Sequence, residues 1–431
     1  MTAELRRELG VPGAVMLGLG SIVGTGVFIS IGIAAGVAGP AVLPAIVIAA
    51  LVAACNGLSS AQLAATHPVS GGTYEYGYRF LLPPLGFTAG LLFLLAKSAS
   101  AATAALGIAG YILRLFAVED GAVLPLALAF ALFLTLIVAA GVRSSTRTNA
   151  VVVTMSLLSL LAFLAVGISL QGGIRPAAFR PFFGDSANPW ASLLNAAALM
   201  FVAYTGYGRI ATLGEEVRDP GRTIPRAIAS TLLLVMLLYT AVAAVAISIL
   251  GAGGLAVAAG SAAAPLERAA YALGSPALAT VLAVGAVSAM TGVLLNLILG
   301  LSRVVLAMAR RRDLPSGLSR VHAGSASPRR AVFAVGLLIL ILVSVGDVRL
   351  TWSFSAFTVL VYYALTNLAA LFIAKEDRLF PRWVSLAGLA GCLGLAAFIP
   401  LRVMAAGLAV IAVGLLFFAL RGRYRRSRRA E

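Results

Sequence analysis

Charged residues are scarce in this chain of 431 residues, and acidic residues are scarcer than basic ones. Only 11% of the residues are charged, against roughly 25% in an ordinary soluble domain, and 15 Asp and Glu residues stand against 32 Lys and Arg. Hydrophobic residues make up 61% of the chain. These proportions exclude an ordinary soluble fold. The chain is therefore either a basic nucleic-acid-binding protein or a membrane protein whose charges lie in its loops.

Metal-ligating and nucleophilic residues are also few. The chain has two cysteines, Cys55 and Cys392, and two histidines, His67 and His322. The cysteines lie in apolar runs, where we expect them to be reduced and structural, and no C-x-x-C or H-E-x-x-H spacing occurs. No acidic residue falls in the middle of an apolar run. These absences predict no metal, no other cofactor, no intramembrane enzyme and no simple Asp/Glu proton relay.

Long apolar runs are what the sequence does contain. A helix that crosses a bilayer needs ~20 predominantly apolar residues. Twelve runs are candidates: 11–36, 40–66, 85–113, 121–142, 149–170, 188–213, 225–251, 274–301, 330–347, 350–374, 380–399 and 402–420. They predict an all-α integral membrane protein with twelve transmembrane helices.

The basic residues are distributed unevenly between the predicted loops. Twelve spans place both termini on one side, and most arginines fall in loops on that side or in the basic tail 421–431. This bias predicts cytoplasmic termini in the plasma membrane. The arginines are scattered through short loops, which disfavours a nucleic-acid partner and favours contact of the tail with membrane lipids. Lys97 and Arg209 are exceptions, because both lie inside predicted spans.

The first and sixth spans are interrupted by glycines, in Ser21–Gly26 and Phe201–Gly206. A glycine inside a helix is less favourable than alanine by ~1 kcal/mol. Interrupted segments at corresponding positions of two five-helix halves are typical of secondary transporters. A broken helix offers N–H groups to a carboxylate and C=O groups to an ammonium, the two charged groups of an amino acid. Alternatively, Gly20 and Gly24 form a G-x-x-x-G pattern for close helix packing.

Four parts of the chain resemble the amino acid–polyamine–organocation (APC) transporter superfamily. They are Gly20–Phe28, Pro68–Tyr76, Phe201–Gly206 with Glu215–Pro220 and Ile224–Ile228, and Ser302–Arg310 with Leu314 and Pro315. The resemblance implies a LeuT-type 5+5 inverted repeat with discontinuous helices 1 and 6, two appended helices and alternating access. The corresponding units are 1–170, 171–375, 376–420 and the tail 421–431.

The resemblance also implies a substrate site at the two breaks. By motif position, the substrate carboxylate would contact the backbone N–H groups of Ser21, Ile22, Val23, Gly24, Thr25 and Gly26 and the Thr25 hydroxyl. The ammonium would contact carbonyls around Phe201, Ala203 and Tyr204, in the segment that ends at Gly206. Relatives often carry a bulky aromatic gate where this chain has Val202. We therefore expect Phe201 or Tyr204 to act as the gate instead, or the pocket to admit a substrate with a bulkier side chain.

Three further residues are candidates for coupling or gating. Several sodium-independent relatives carry a lysine near the position of Ser156, and some carry an acid at the position of Gly208. Lys97 lies about 16 Å into its span, too deep for easy snorkelling. We hypothesise that it replaces an ion or releases a proton; a lysine that lines a watery vestibule is the alternative. Arg209 fits a structural or gating role, or contact with an anionic substrate side chain.

These observations predict a secondary active transporter that moves an amino acid across the cytoplasmic membrane without sodium, by proton symport or exchange. The alternatives are a polyamine or other organic-amine antiporter and a non-transporting amino acid sensor. A channel is less favoured, because the spans contain no visible set of polar residues for a selectivity ring. In the loop Pro68–Tyr76, we expect Tyr74, Glu75 and Tyr76 to seal an inner gate against the exit of helix 6.

Overall fold

The computed structural model describes residues 10–430 apart from 68–70, 117, 119, 142–145, 185, 212–216, 218, 262 and 322–327. Most of the described residues are helical. In chain order the helices are α1 (Val11–Ile22), α2 (Ile31–Ala38), α3 (Val42–Thr66), α4 (Thr73–Phe80), α5 (Pro83–Leu115), α6 (Val123–Ala139), α7 (Thr146–Gln171), α8 (Pro189–Tyr204), α9 (Gly208–Ala211), α10 (Pro220–Ser261), α11 (Pro265–Ala272), α12 (Pro276–Arg310), α13 (Arg329–Val343), α14 (Val348–Leu371), α15 (Arg382–Ala396) and α16 (Leu401–Ala430).

The described helices confirm a helical, multi-pass membrane protein. Seven segments are long and apolar enough to cross a bilayer: Gly26–Thr66, Pro83–Leu115, Thr148–Gln171, Gly221–Gly260, Pro276–Arg310, Val348–Leu371 and Leu401–Arg421. Three shorter apolar helices, α1, α6 and α15, accompany them. Each of the twelve predicted runs overlaps helical residues. The number of crossings, the inverted repeat and the unit boundaries stay predictions.

Local residue chemistry explains where many helices begin and end. Proline occupies the first position of several helices, where its missing N–H has no intrahelical acceptor in any case. Asn188 caps α8 by accepting a hydrogen bond from the Ala191 N–H at 3.2 Å. Asp347 caps α14 in the same way. Within α10, Gly251 has a φ of 68°, a conformation that glycine adopts without strain, and the helix bends there.

The helix α5 lies at the centre of the bundle, whereas α16 lies at its edge. Buried residues make up 78% of the most apolar stretch of α5 but only 11% of that of α16. Polar side chains join α5 to α14 along their contact. The hydroxyl pairs Thr103–Thr351 and Ser100–Ser355 are 2.9 and 2.8 Å apart. Such interhelical hydrogen bonds satisfy polar groups where no water is at hand, so they fix the register of the two helices.

A second polar contact joins α3, α14 and α15. Asn367 of α14 donates to Oδ1 of Asn56 at 2.5 Å, and Asn56 donates to Sγ of Cys392 at 3.1 Å. Cys392 is buried and Cys55 is half-buried, and both thiols are free. The Cys392 thiol therefore acts as a hydrogen-bond acceptor in helix packing.

Candidate functional site

The first predicted break lies between α1 and α2. The helix α1 ends at Ile22, because Val23 leaves the helical region with a ψ of 110°. The N–H groups of Val27 and Phe28 both donate to the Gly24 carbonyl at 3.1 Å, and a π-helical turn then covers Gly26–Ser30. A helix that restarts in this way presents first-turn N–H groups that lack intrahelical acceptors. The interruption falls within Ser21–Gly26, as the glycines predict.

The second predicted break follows α8. The helix ends at Tyr204, a 3-10 turn covers Thr205–Tyr207, and the four-residue helix α9 continues from Gly208. The Thr205 hydroxyl donates to the carbonyl of Val202 at 2.7 Å. A mid-helix 3-10 segment disturbs the regular hydrogen-bond ladder, as is common at functional hinges.

Glycines bring the two breaks into direct contact. A Cβ atom on Gly206 would overlap the carbonyl of Ser21, so only glycine fits there. A Cβ on Gly26 would lie 2.7 Å from Cβ of Ala203. Gly20 and Gly24 also lie close to side chains of neighbouring helices, so the packing interpretation applies to them as well.

A cavity of about 50 Å³ lies between the breaks. It is lined by Ser21, Ile22, Thr25, Gly26, Lys97, Ser100, Val202, Ala203, Thr205, Gly206, Val293, Leu297 and Trp352. This volume holds a few water molecules. The lining residues come from both interrupted helices and from α5, α12 and α14. They include one cation and no carboxylate, so the cavity carries an excess of positive charge.

Two polar side chains distinguish the cavity from ordinary helix packing. The Thr25 hydroxyl is buried, with the residue 5% exposed, and has no hydrogen-bond partner in the described part of the chain. Nζ of Lys97 donates to the Thr205 hydroxyl at 2.6 Å and thus ties α5 to the second break. Buried polar groups are nearly always hydrogen-bonded, so an unpartnered hydroxyl on a cavity wall is suited to contact a ligand.

The cavity brings together most, but not all, of the predicted site residues. Eight of them line it: Ser21, Ile22, Thr25, Gly26, Lys97, Val202, Ala203 and Gly206. Val23, Gly24, Phe201, Tyr204, Ser156 and Arg209 are not among the lining residues.

The side chains outside the cavity have other contacts. Phe201 packs edge-on against the ring of Tyr363, with 5.7 Å between ring centroids. Tyr204 donates to the carbonyl of Ile46 at 3.2 Å. Ser156 donates to the carbonyl of Val152 on its own helix and, at 3.3 Å, to the carbonyl of Gly285 on α12. These contacts are typical of helix packing, and a coupling role for Ser156 stays a prediction.

Arg209 lies on the four-residue helix α9, and its side chain is exposed. This placement favours the structural or gating interpretation over contact with the substrate.

Sequence reasoning missed five lining residues: Ser100, Thr205, Val293, Leu297 and Trp352. Two of them carried a usable signal. Ser100 follows Lys97 by three residues, which places both on one helix face, and Thr205 lies inside the interrupted segment itself. Val293, Leu297 and Trp352 lie in ordinary apolar runs, where nothing distinguishes them from core residues.

A cluster at the end of α12, on the side predicted to be cytoplasmic, holds the short helix α4. Tyr74 and Tyr78 both donate to Oδ2 of Asp313, at 2.6 and 2.7 Å. Arg311 forms an ion pair with Glu75, and its guanidinium lies 4.2 Å from the centre of the Tyr78 ring. Burial and the hydrogen bond to Asp313 raise the pKa of both tyrosines well above the ordinary value. The cluster therefore fastens α4 to α12.

Residues 215, 216 and 218 of the predicted exit from the sixth span lie outside the described residues, so the inner-gate contact stays a prediction. In the described part of the chain, Tyr74 and Glu75 contact the end of α12. Tyr76 packs with Leu63, Ala369 and Ile373. Among the described residues, no three His, Cys, Asp or Glu side chains lie close enough together to hold a metal ion.

Comparisons with known proteins agree with this architecture. The amino acid permease family model matches residues 13–425. An uncharacterized transporter of Mycobacterium tuberculosis is 42% identical over 97% of this chain and 92% of its own. A branched-chain amino acid permease of Bacillus subtilis is 28% identical over 88% of this chain and 83% of its own. A methylthioribose transporter of Bacillus subtilis is 29% identical over 78% of this chain and 74% of its own.

Proposed function

This chain belongs to the amino acid permease family, whose members are transporters and not enzymes, and we propose that it carries a neutral, apolar amino acid across the cytoplasmic membrane. The proposed mechanism is secondary active transport by alternating access around the two helix breaks, without sodium. The uneven distribution of arginines supports cytoplasmic termini.

The observation that carries this proposal is the unpartnered Thr25 hydroxyl at the first break. It lines the cavity beside Gly26, at the start of the π-helical turn. A substrate carboxylate placed there would accept hydrogen bonds from this hydroxyl and from first-turn N–H groups, at the positive end of the helix dipole. The carbonyl end of α8, near Ala203, would receive the ammonium.

Lys97 supports a substrate that carries a carboxylate. Among the described residues that line the cavity, its ammonium is the one cation and no acid balances it. A zwitterionic amino acid brings a compensating negative charge, whereas a polyamine brings only further positive charge into a low-dielectric site. This argument disfavours the organic-amine alternative. We therefore assign Lys97 the role of a fixed charge that replaces a coupling cation next to Thr205.

The rest of the lining supports an apolar side chain. Ile22, Val202, Val293, Leu297 and Trp352 provide an apolar wall and include no charged group. The branched-chain amino acid permease among the relatives is consistent with a substrate that has an apolar side chain. The cavity as it stands holds only a few water molecules, so substrate binding requires that the interrupted helices move apart.

A binding and transport experiment tests the proposal. The purified protein is first screened by thermal shift against all amino acids, a polyamine and methylthioribose, since a ligand of the folded state raises the melting temperature. The best ligand is then used in radiolabelled counterflow with proteoliposomes. We expect a branched or other apolar amino acid to bind and exchange. Binding without flux would instead support a sensor, and binding of the polyamine would support the antiporter alternative.

Two variants locate the site. Thr25→Val removes the hydroxyl at nearly constant volume, and we expect it to weaken substrate affinity more than tenfold, in line with loss of a hydrogen bond to a charged group. Thr231→Val is the matched control, because Thr231 is also buried and unpartnered but does not line the cavity. Equal affinities in the two variants would contradict the assignment of Thr25.

Lys97→Met tests the fixed charge separately. We expect the variant to lose counterflow along with substrate binding, because the substrate carboxylate loses its compensating cation. If Lys97→Met keeps full uptake, Lys97 is a vestibule lysine without a role in coupling.

A further inference from the structure

The helix α11 carries a carboxyl group in an unusual environment. From its place between two apolar runs, Glu267 is expected in a solvated loop. In the folded protein the residue is 0% exposed, and neither of its carboxylate oxygens has a hydrogen-bond partner among the residues that the structure describes. Glutamate is almost never fully buried unless it is paired. A buried, ionised and unpartnered carboxylate is costly, so such a group tends to bind a proton instead.

The elements around α11 connect Glu267 to the first helix break. The helix packs against α10, α12 and the π-helical turn Gly26–Ser30, which begins at the cavity residue Gly26. From α5, Tyr111 donates to the carbonyl of Phe28 in that turn at 2.9 Å. A change in the position or charge of Glu267 can therefore be transmitted to the substrate cavity through one turn of backbone.

Few charged or titratable groups face Glu267. Tyr111 and Arg114 of α5 interact with it electrostatically, and α11 itself carries Arg268 and Tyr271. The π-helical turn contains no titratable residue. The charged residues of the other two helices lie away from α11, with Arg222 and Arg226 in the first turns of α10 and Arg303 and Arg310 near the last turns of α12.

Burial raises the pKa of Glu267 from 4.5 to about 7, and the positive charge of Arg114 partly opposes this rise. In water, the same carboxyl is ionised above pH ~4.3. Between these two values, the group is neutral while α11 is seated and ionised once the helix is hydrated. The seated arrangement therefore binds one more proton, and it becomes less stable as the pH rises through this range.

We propose that Glu267 is the proton-binding site that couples closure of this face of the transporter to proton uptake. When α11 seats on the Gly26–Ser30 turn, the carboxylate leaves water and takes one proton from the water on that side. When the cavity next to this turn opens to the opposite side, water that enters it hydrates the carboxylate, the proton leaves to that side, and α11 lifts from the turn as the transporter resets. The inference rests on the proposed function and assigns the proton to a different residue from the fixed charge at Lys97.

The test uses the whole protein in proteoliposomes, with the best-binding amino acid from the thermal-shift screen as substrate. Net uptake is measured with and without an imposed pH gradient, and counterflow is measured without one. We expect the gradient to stimulate wild-type uptake several-fold and to leave Glu267→Gln unstimulated, while counterflow stays within twofold of wild type. Glu376→Gln, which alters an exposed carboxylate between α14 and α15, serves as the matched control and should respond to the gradient as wild type does.

The outcomes separate the two proposals. Equal stimulation of wild type and Glu267→Gln overturns the proton site, as does a wild type that exchanges its substrate but ignores the gradient. A wild type without counterflow for any amino acid overturns the proposed function instead. A second variant, Arg114→Gln, retains the carboxyl and removes the charge that lowers its pKa. We expect it to move the pH midpoint of uptake upward, and an unmoved midpoint contradicts the proposal even if Glu267→Gln does not fold.

Discussion

Two buried carboxyl groups at different places in the protein have opposite environments. Asp313, just after α12, is 5% exposed and accepts hydrogen bonds from the hydroxyls of Tyr74 and Tyr78. Glu267, in α11, is 0% exposed and accepts no hydrogen bond from the described residues. Both lie outside the helical segments that are long enough to cross a bilayer. Their sequence contexts therefore look alike, and only their partners differ.

The difference shows that partners, rather than burial, decide what a buried carboxyl does. Hydrogen bonds from two phenols, with the guanidinium of Arg311 beside their rings, compensate a negative charge on Asp313. That group is suited to hold α4 against α12. Glu267 accepts no hydrogen bond from the described residues and the charge of Arg114 compensates it only in part, so protonation controls whether its burial is favourable. Asp313 thus holds α4 against α12 permanently, whereas the effect of Glu267 on packing depends on its protonation.

The largest expected effect comes from breaking the Asp313 cluster. Asp313→Ala removes the acceptor of two charge-assisted hydrogen bonds and leaves two phenol hydroxyls unpartnered. At 1.5–3 kcal/mol for each bond, we expect the free energy of unfolding to fall by roughly 3–6 kcal/mol. Unfolding of the purified protein by SDS measures the loss. Asp377→Ala, at an exposed carboxylate, is the control and should differ little from wild type. Similar losses of stability in both variants would contradict the claim that Asp313 holds α4 against α12.

The next effect concerns Glu267 and depends on pH. A pKa that rises from 4.5 to about 7 corresponds to about 3 kcal/mol of free energy, at 1.36 kcal/mol per pKa unit. The wild-type protein should lose this stability as the pH rises from 4.5 to 7 and lose little more above pH 7. Glu267→Gln carries no titrating group there, so its melting temperature should exceed that of wild type at pH 8 and approach it at pH 4.5. Parallel pH profiles for the two proteins would rule out a protonated Glu267.

A smaller effect is expected from the two tyrosines that donate to Asp313. Tyr78→Phe removes one of the two donors and leaves Asp313 with the other, so we expect a loss of about 1–2 kcal/mol in the free energy of unfolding. Tyr74→Phe should behave similarly, because its hydrogen bond has nearly the same length. The double variant should lose more than the sum of the single changes, since the carboxylate then has no donor. If the loss of stability in the double variant equals the sum of the two single losses, Asp313 finds other hydrogen-bond donors.

The smallest effect is expected from the ion pair of the same cluster. Arg311 and Glu75 are partly exposed, with side-chain exposures of 38% and 20%. Partly exposed pairs contribute ~0.2–1 kcal/mol and are screened by salt. Arg311→Gln should therefore destabilise the protein by less than about 1 kcal/mol in low salt and by less still at 1 M salt. A larger, salt-independent loss would indicate that stacking on the Tyr78 ring dominates.

Much of the fold and part of the candidate site could be predicted from the sequence. The apolar runs predicted the helices, and the glycines near Thr25 and at Gly206 predicted both interruptions. Ser156 shows where such reasoning stops. Its position predicts a coupling role, which stays a prediction, and only the structure shows that its hydroxyl donates to backbone carbonyls at a helix contact. Whether a polar side chain faces a cavity or a neighbouring helix depends on rotation of the whole helix, which its own residues do not specify.

The sequence by itself determined the helical membrane class, the resemblance to amino acid transporters and the places where the first and sixth predicted spans break. Apolar length and glycine content act within a single segment, so they can be read locally. Only the tertiary structure decided that Lys97 donates a hydrogen bond to Thr205, 108 residues later, and that Glu267 is buried without a hydrogen-bond donor among the described residues. Burial and hydrogen bonding arise between segments far apart in the chain, so no single segment specifies which polar side chains are paired and which line a cavity.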